Sequence, residues 1–193
     1  MFNKPRLLTP GPTPLPERVR LALAQDMIHH RKPGFKKILL ETETMLQKLF
    51  GTEQPVLPLS CSGTGAMTAA VHGLFLPGET VIVVNGGKFG ERWSKIAAVR
   101  GLKVVEIDVA WGQAVTPAQV EQALREHPEA KGVFMQVCET STAAQHPVEA
   151  IARLTRTREV LLVADGISAV GISPCPMDAW GIDCLLTGSQ KGL

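Results

Sequence analysis

At 193 residues, with 45% hydrophobic and 20% charged side chains, the chain has the make-up of a folded domain with a real core and not of a disordered segment. A net charge of +2, with no basic cluster longer than His29-His30-Arg31-Lys32, argues against a nucleic-acid footprint and for a small-molecule ligand. No apolar run approaches the ~20 residues that cross a bilayer, and Met1-Phe2-Asn3-Lys4-Pro5 is not followed by a signal-peptide core, so the expected partners exclude membranes and the expected location is the cytoplasm.

Thr9-Pro10-Gly11-Pro12-Thr13-Pro14-Leu15-Pro16 is too rich in proline for helix or central strand, so residues 1–16 are expected to run as an extended arm. Residues 17–193 then form one body. Glu17 to Ala24 reads as a short helix with Val19, Leu21, Ala22 and Leu23 as its apolar positions. The histidine pair at 29 and 30 lies in a loop and reads as solvated. Phe35, Ile38, Leu39, Met45, Leu46 and Leu49 fall at helical spacing up to a stop at Gly51, a stripe expected to face the core.

A short strand is expected from Leu57, running into Ser62-Gly63-Thr64-Gly65 and then an alanine-rich helix. Such a turn leaves unpaired backbone N–H groups at the helix amino end, where they can hold an anion, and the glycines let backbone approach it closely. The pattern is neither G-x-G-x-x-G nor a lysine-bearing phosphate loop, so dinucleotides and ATP are disfavoured.

From here strands and helices alternate. Thr80 to Val84 is a β-branched run expected as an interior strand, followed by Asn85-Gly86-Gly87 and a helix over Glu91–Arg100. Lys103–Asp108 is the next strand. Thr116 and Pro117 mark a helix start as N-cap and first position. Val133–Val137, Pro147–Arg158 and Val160–Asp165 read as strand, helix and strand, and Met177–Asp183 as a helix-and-turn connection. The class is α/β, with a mostly parallel sheet flanked by helices.

The apolar run ending at Asp165 delivers a carboxylate to the sheet's carboxyl edge, where open α/β sheets hold ligands. A second apolar run ends in Thr187-Gly188-Ser189-Gln190-Lys191 and brings an amine to the same edge. A neutral lysine amine forms a Schiff base with an aldehyde, and pyridoxal phosphate is the aldehyde that such a site suggests. Asp165 would face its pyridinium nitrogen, and Ser189 and Gln190 could add phosphate contacts.

The order of these pieces, from Leu7-Leu8-Thr9-Pro10-Gly11-Pro12 to Ser189-Gln190-Lys191-Gly192, resembles the class V aminotransferases among the fold type I pyridoxal-phosphate enzymes. The alanine–glyoxylate and serine–pyruvate aminotransferases are the nearest in pattern, and some relatives carry the name of a soluble hydrogenase small subunit. The resemblance implies the large, pyridoxal-phosphate-binding domain of that fold, ending just after the lysine, with the C-terminal small domain of the family absent. It implies Lys191 as the Schiff-base lysine and Asp165 as the pyridinium partner. Ser62, Gly63, Thr64, Gly65 and Gln190 would hold the phosphate, Phe89 and Ile167 the two ring faces, and Thr140 the ring oxygen. Ala143 stands where family sequences usually place glycine.

The activity implied is transfer of an amino group from alanine or serine to glyoxylate or pyruvate, by a homodimer whose arm lies near the active site. Alternatives are another enzyme of the same fold and cofactor, such as a cysteine desulfurase or a lyase, or a truncated interaction domain without catalysis. Cys61, Cys138, Cys175 and Cys184 show no C-x-x-C pair, so no metal site is expected and the residues lend the hydrogenase name no support. A sheet ending at this lysine is expected to leave an uncovered edge and to favour self-association.

Overall fold

The computed structural model describes residues 7–193; residues 1–6 of the expected arm, and the reading of the amino terminus, lie outside the described residues. The strands are β1 (Thr80–Asn85), β2 (Lys103–Asp108), β3 (Gly132–Gln136), β4 (Cys138–Glu139), β5 (Ala144–Gln145), β6 (Leu161–Asp165) and β7 (Cys184–Leu186). The helices are α1 (Glu17–Leu23), α2 (Pro33–Phe50), α3 (Gly63–Leu74), α4 (Lys88–Arg100), α5 (Pro117–Glu126), α6 (Val148–Arg156) and α7 (Met177–Trp180).

Five strands form one sheet in the order β2-β1-β3-β6-β7, and every neighbouring pair is parallel. β1, β3 and β6 are central because their side chains are apolar on both faces, as a parallel sheet covered on both sides requires. β2 carries Lys103, Glu106 and Asp108 and takes one edge. Alternation along the strands splits the core in two. On one side Val81, Val83, Phe134 and Val163 pack with Met67 and Val71 of α3 and Trp93 and Ala97 of α4. On the other, Ile82, Val133, Met135 and Leu162 pack with Val120 and Leu124 of α5 and Ile151 of α6.

The chain leaves β1 toward β2 on one side and later returns through β3 on the other. That reversal opens a crevice beyond the carboxyl ends of β1 and β3, where ligands of such sheets bind.

Several expectations need correction. Leu57–Cys61 forms no strand, since no neighbouring strand offers its backbone a ladder, and Leu57 and Leu59 are exposed. Most of the stripe of α2 does not face the core: Ile38, Leu39, Met45 and Leu49 are exposed, Leu46 packs against the core only in part, and only Phe50 is buried in that helix. No residue of α1 is buried. α4 begins at Lys88 and not at Glu91, and β4 with β5 adds a small antiparallel hairpin that periodicity did not signal. Helix stops and starts follow their local chemistry. Gly51 ends α2 at φ 61, and Thr116 caps α5 in a reciprocal capping box with Gln119.

Candidate active site

Asp165 is the last residue of β6 and is 3% exposed. Its Oδ1 accepts the Ile167 N–H at 2.9 Å. Burial pushes its carboxyl up to about 6; the Ile167 hydrogen bond opposes this, the Glu139 charge adds to it, and the Arg92 and Lys191 charges oppose it.

Lys191 follows β7 and lies under the arm. Its Nζ donates to the Pro10 carbonyl at 3.0 Å, and Thr13 Oγ1 donates to the Lys191 carbonyl at 2.9 Å. The Thr13 N–H also donates to the Gln190 carbonyl at 3.0 Å. The arm thus reaches the lysine with backbone as well as side chain.

The amino end of α3 makes the third wall. Ser62 stands in extended backbone as its N-cap, and its Oγ accepts the Gly65 N–H at 3.2 Å. That cap uses the Gly65 N–H, and the Ala66 N–H donates to the Ser62 carbonyl at 3.0 Å, which leaves the N–H groups of Gly63 and Thr64 for an anion. Gly63 is held against two other site residues: an added Cβ would run into Ile167 Cδ1 and stand 3.9 Å from Gln190 Nε2. A side chain here would close the cradle. The structure therefore brings Gly63, Ile167 and Gln190 together from three separate segments.

Phe89 lies in the first turn of α4, at the carboxyl end of β1. The Arg92 guanidinium sits over its ring, 4.7 Å from the centroid, while Arg92 Nη1 donates to Thr64 Oγ1 at 2.9 Å. Thr140 and Ser168 join hydroxyls across the loops that follow β4 and β6.

Sequence reading gave Glu139 no role, yet it is fully buried and organises this edge. Its carboxylate accepts the N–H groups of Phe89 at 3.2 Å, Gly90 at 3.0 Å and Ser141 at 3.1 Å, together with Ser141 Oγ at 2.6 Å. An anion at the amino end of α4 satisfies orphan donors and complements the helix dipole. Gly87, the N-cap of α4, has no side chain to do so, and an added Cβ would lie 2.7 Å from Glu139 Cγ and Cδ. A cap-less glycine at the start of a helix was the available signal. Ala143, in the same loop, has φ 59, a left-handed value that explains why glycine suits this position. Among the described residues no group of three or more His, Cys, Asp or Glu side chains is placed to hold a metal ion, and no helix is long and apolar enough to cross a membrane.

Comparison with known proteins adds to this geometry. The model of the family described as aminotransferase class-V matches residues 10–193. The chain is 36% identical over 195 residues to a soluble hydrogenase small subunit of Synechococcus sp., covering 100% of this chain and 51% of that protein. Among solved structures it is similar to an alanine–glyoxylate aminotransferase from Nostoc sp., with a TM-score of 0.94 and 31% identity over 99% of this chain and 51% of the other. An aspartate aminotransferase of subgroup IV from Thermus thermophilus gives a TM-score of 0.91 and 37% identity, over 97% of this chain and 53% of the other. The chain spans about half the length of the curated relatives it matches.

Proposed function

Because the chain belongs to the class V aminotransferase family of pyridoxal-phosphate enzymes, we propose that it is the cofactor-binding portion of an aminotransferase moving an amino group from alanine or serine to glyoxylate or pyruvate. Residues 17–193 form the binding body, and the described part of the arm, residues 7–16, closes over it at Lys191. The observation that carries this reading is the convergence, on one sheet edge, of a buried strand-end acid, a lysine and the free N–H groups of α3.

The residues present fit pyridoxal 5′-phosphate. Among the described residues Asp165 Oδ2 has no hydrogen-bond partner, and a buried carboxyl held near 6 by desolvation is stabilised by a cationic N–H group. The cradle at Gly63 has room only because the residue lacks a Cβ. Asp165 would hold the pyridine nitrogen, Phe89 and Ile167 the ring faces, and Thr140 the ring oxygen. Ser62, Gly63, Thr64, Gly65 and Gln190 would hold the phosphate. When bound, the cofactor supplies an electron sink for chemistry at the α-carbon of an amino acid.

The chain's own residues do the rest. The Lys191 amine would hold the cofactor, and its Nζ would take the substrate's α-proton and return it. The Asp165 carboxylate, buried at the end of β6, would keep the ring nitrogen protonated. Pro10 and Thr13 keep the lysine segment in place from above. Exposed apolar side chains on α1 and α2, among them Leu21, Leu23 and Ile38, support assembly as a homodimer, and the chain's composition supports a cytoplasmic location.

The test is borohydride reduction of the protein mixed with pyridoxal phosphate, followed by peptide mapping. The expected result is a single adduct at Lys191 that Lys191→Ala abolishes; labels scattered over surface lysines would overturn the reading. Adding alanine, serine or aspartate to the loaded protein and recording the absorption change then assigns the donor. A response to aspartate alone would replace the proposed substrate class.

A further inference from the structure

Arg92 is a half-buried cation in α4 that touches two walls of the site. Its Nη1 donates to Thr64 Oγ1 on α3, and its guanidinium covers one face of the Phe89 ring. Sequence reading gave it no role.

Two chemical facts give the arrangement meaning. A guanidinium only donates, so the Thr64 hydroxyl must accept from it, and that leaves the hydroxyl's own proton uncommitted. Thr64 Oγ1 lies in the first turn of α3, where free N–H groups already favour an anion. The second fact concerns the ring. A cation within about 6 Å of an aromatic centroid is held by the ring quadrupole, so Arg92 fixes the plane of Phe89 from one side. One side chain therefore sets the direction of a hydroxyl proton and the plane of a stacking ring.

We propose that Arg92 is a positioning residue of the cofactor site, holding the Thr64 hydroxyl as a donor toward the phosphate and the Phe89 ring in plane for stacking. This rests on the functional reading given above. Arg92 also borders a surface groove of about 280 Å³ between α3 and α4, with His72 and Lys95 on its wall. The competing role is a direct anion contact from that groove, and the experiment separates the two.

The experiment is a double-mutant cycle on the full chain, reading pyridoxal-phosphate affinity by absorption titration for wild type, Arg92→Met, Thr64→Val and the double variant. Arg92→Met and Thr64→Val are each expected to weaken binding about tenfold, with the double variant no weaker than the poorer single one. Arg92→Lys, which keeps a donor and a cation, is expected to recover most of the loss. Losses that multiply in the double variant would make Arg92 an independent anion ligand and overturn the proposal, as would an Arg92→Met variant that binds like wild type.

A wild-type chain that takes up no cofactor at Lys191 would sink the proposed function. The clamp is then decided on the cofactor-free protein. Proton NMR should show the Arg92 δ-protons shifted upfield by the Phe89 ring current, with the shift lost in Phe89→Leu. Unshifted δ-protons would overturn it.

Discussion

Gln136 and Asp165 are partners in the β3/β6 register, side by side at the carboxyl ends of neighbouring parallel strands. They are 1% and 3% exposed and project to the same face as Phe134 and Val163. Asp165 spends one oxygen on the Ile167 N–H, whereas neither polar atom of the Gln136 carboxamide has a partner. The floor of the site holds polar capacity that the fold itself leaves unsatisfied.

An orphaned buried amide costs its desolvation, and an apolar group of the same shape does not. Gln136→Met is therefore expected to raise stability by about 1–3 kcal/mol, read as a higher urea midpoint with an unchanged slope. A lower midpoint would mean that the carboxamide is satisfied by bound water.

The buried carboxyl of Asp165 gives a pH dependence whose sign follows from its raised value. In the folded chain it holds its proton up to about 6, against an ordinary 3.8. Between these values the native state binds more protons than the unfolded state, so stability is full below 3.8 and falls as pH rises to about 6. The loss is about 3 kcal/mol. Asp165→Asn removes this fall in the cofactor-free protein, and denaturant titrations at pH 4 and pH 7, about one unit outside the window on the alkaline side, measure it. An equal fall in wild type and variant would place the dependence elsewhere.

Much of the fold was legible because composition and position agree. The runs of β1, β3 and β6 are apolar on both faces and are buried on both, and Asp165 is the last residue of β6 as its apolar run suggested, whereas Lys191 follows in the segment beyond β7. The stripe of α2 failed because periodicity tells which side chains share a face, not what covers that face; Ile38 at 48% and Met45 at 61% exposure are in helical register and uncovered. Leu57–Cys61 is apolar enough for a strand but has no neighbour to bond. Glu139 and Arg92 escaped notice because their partners, the N–H groups of α4 and the hydroxyl of Thr64, are distant in sequence and are defined only by the fold.

Ala143 offers a test of local strain in the loop that carries Thr140. Its φ of 59 is left-handed, which costs a residue with a Cβ about 1–2 kcal/mol relative to glycine. Ala143→Gly is expected to recover about 1 kcal/mol after the added freedom of the unfolded chain is subtracted, a rise of about 2–4 °C in Tm. A fall in Tm would mean that the Ala143 methyl group has a packing role outweighing the strain.

The contact between the arm and the lysine can be tested without touching either polar partner. An added Cβ at Gly11 would lie 2.5 Å from Lys191 Cδ and 2.7 Å from both Cε and Nζ. Those atoms are the far end of a flexible side chain, so Lys191 is expected to swing aside and its amine to leave the Pro10 carbonyl that it reaches at 3.0 Å. Gly11 also stands at φ 159, where a Cβ is strained, so Gly11→Ala is expected to lower folding stability by about 1–2 kcal/mol. It should also lower the yield of the borohydride-trapped adduct at Lys191, with labelling of other lysines unchanged as the internal standard. An unaltered yield at Lys191 would mean that the arm rests on the lysine without setting the position of its amine.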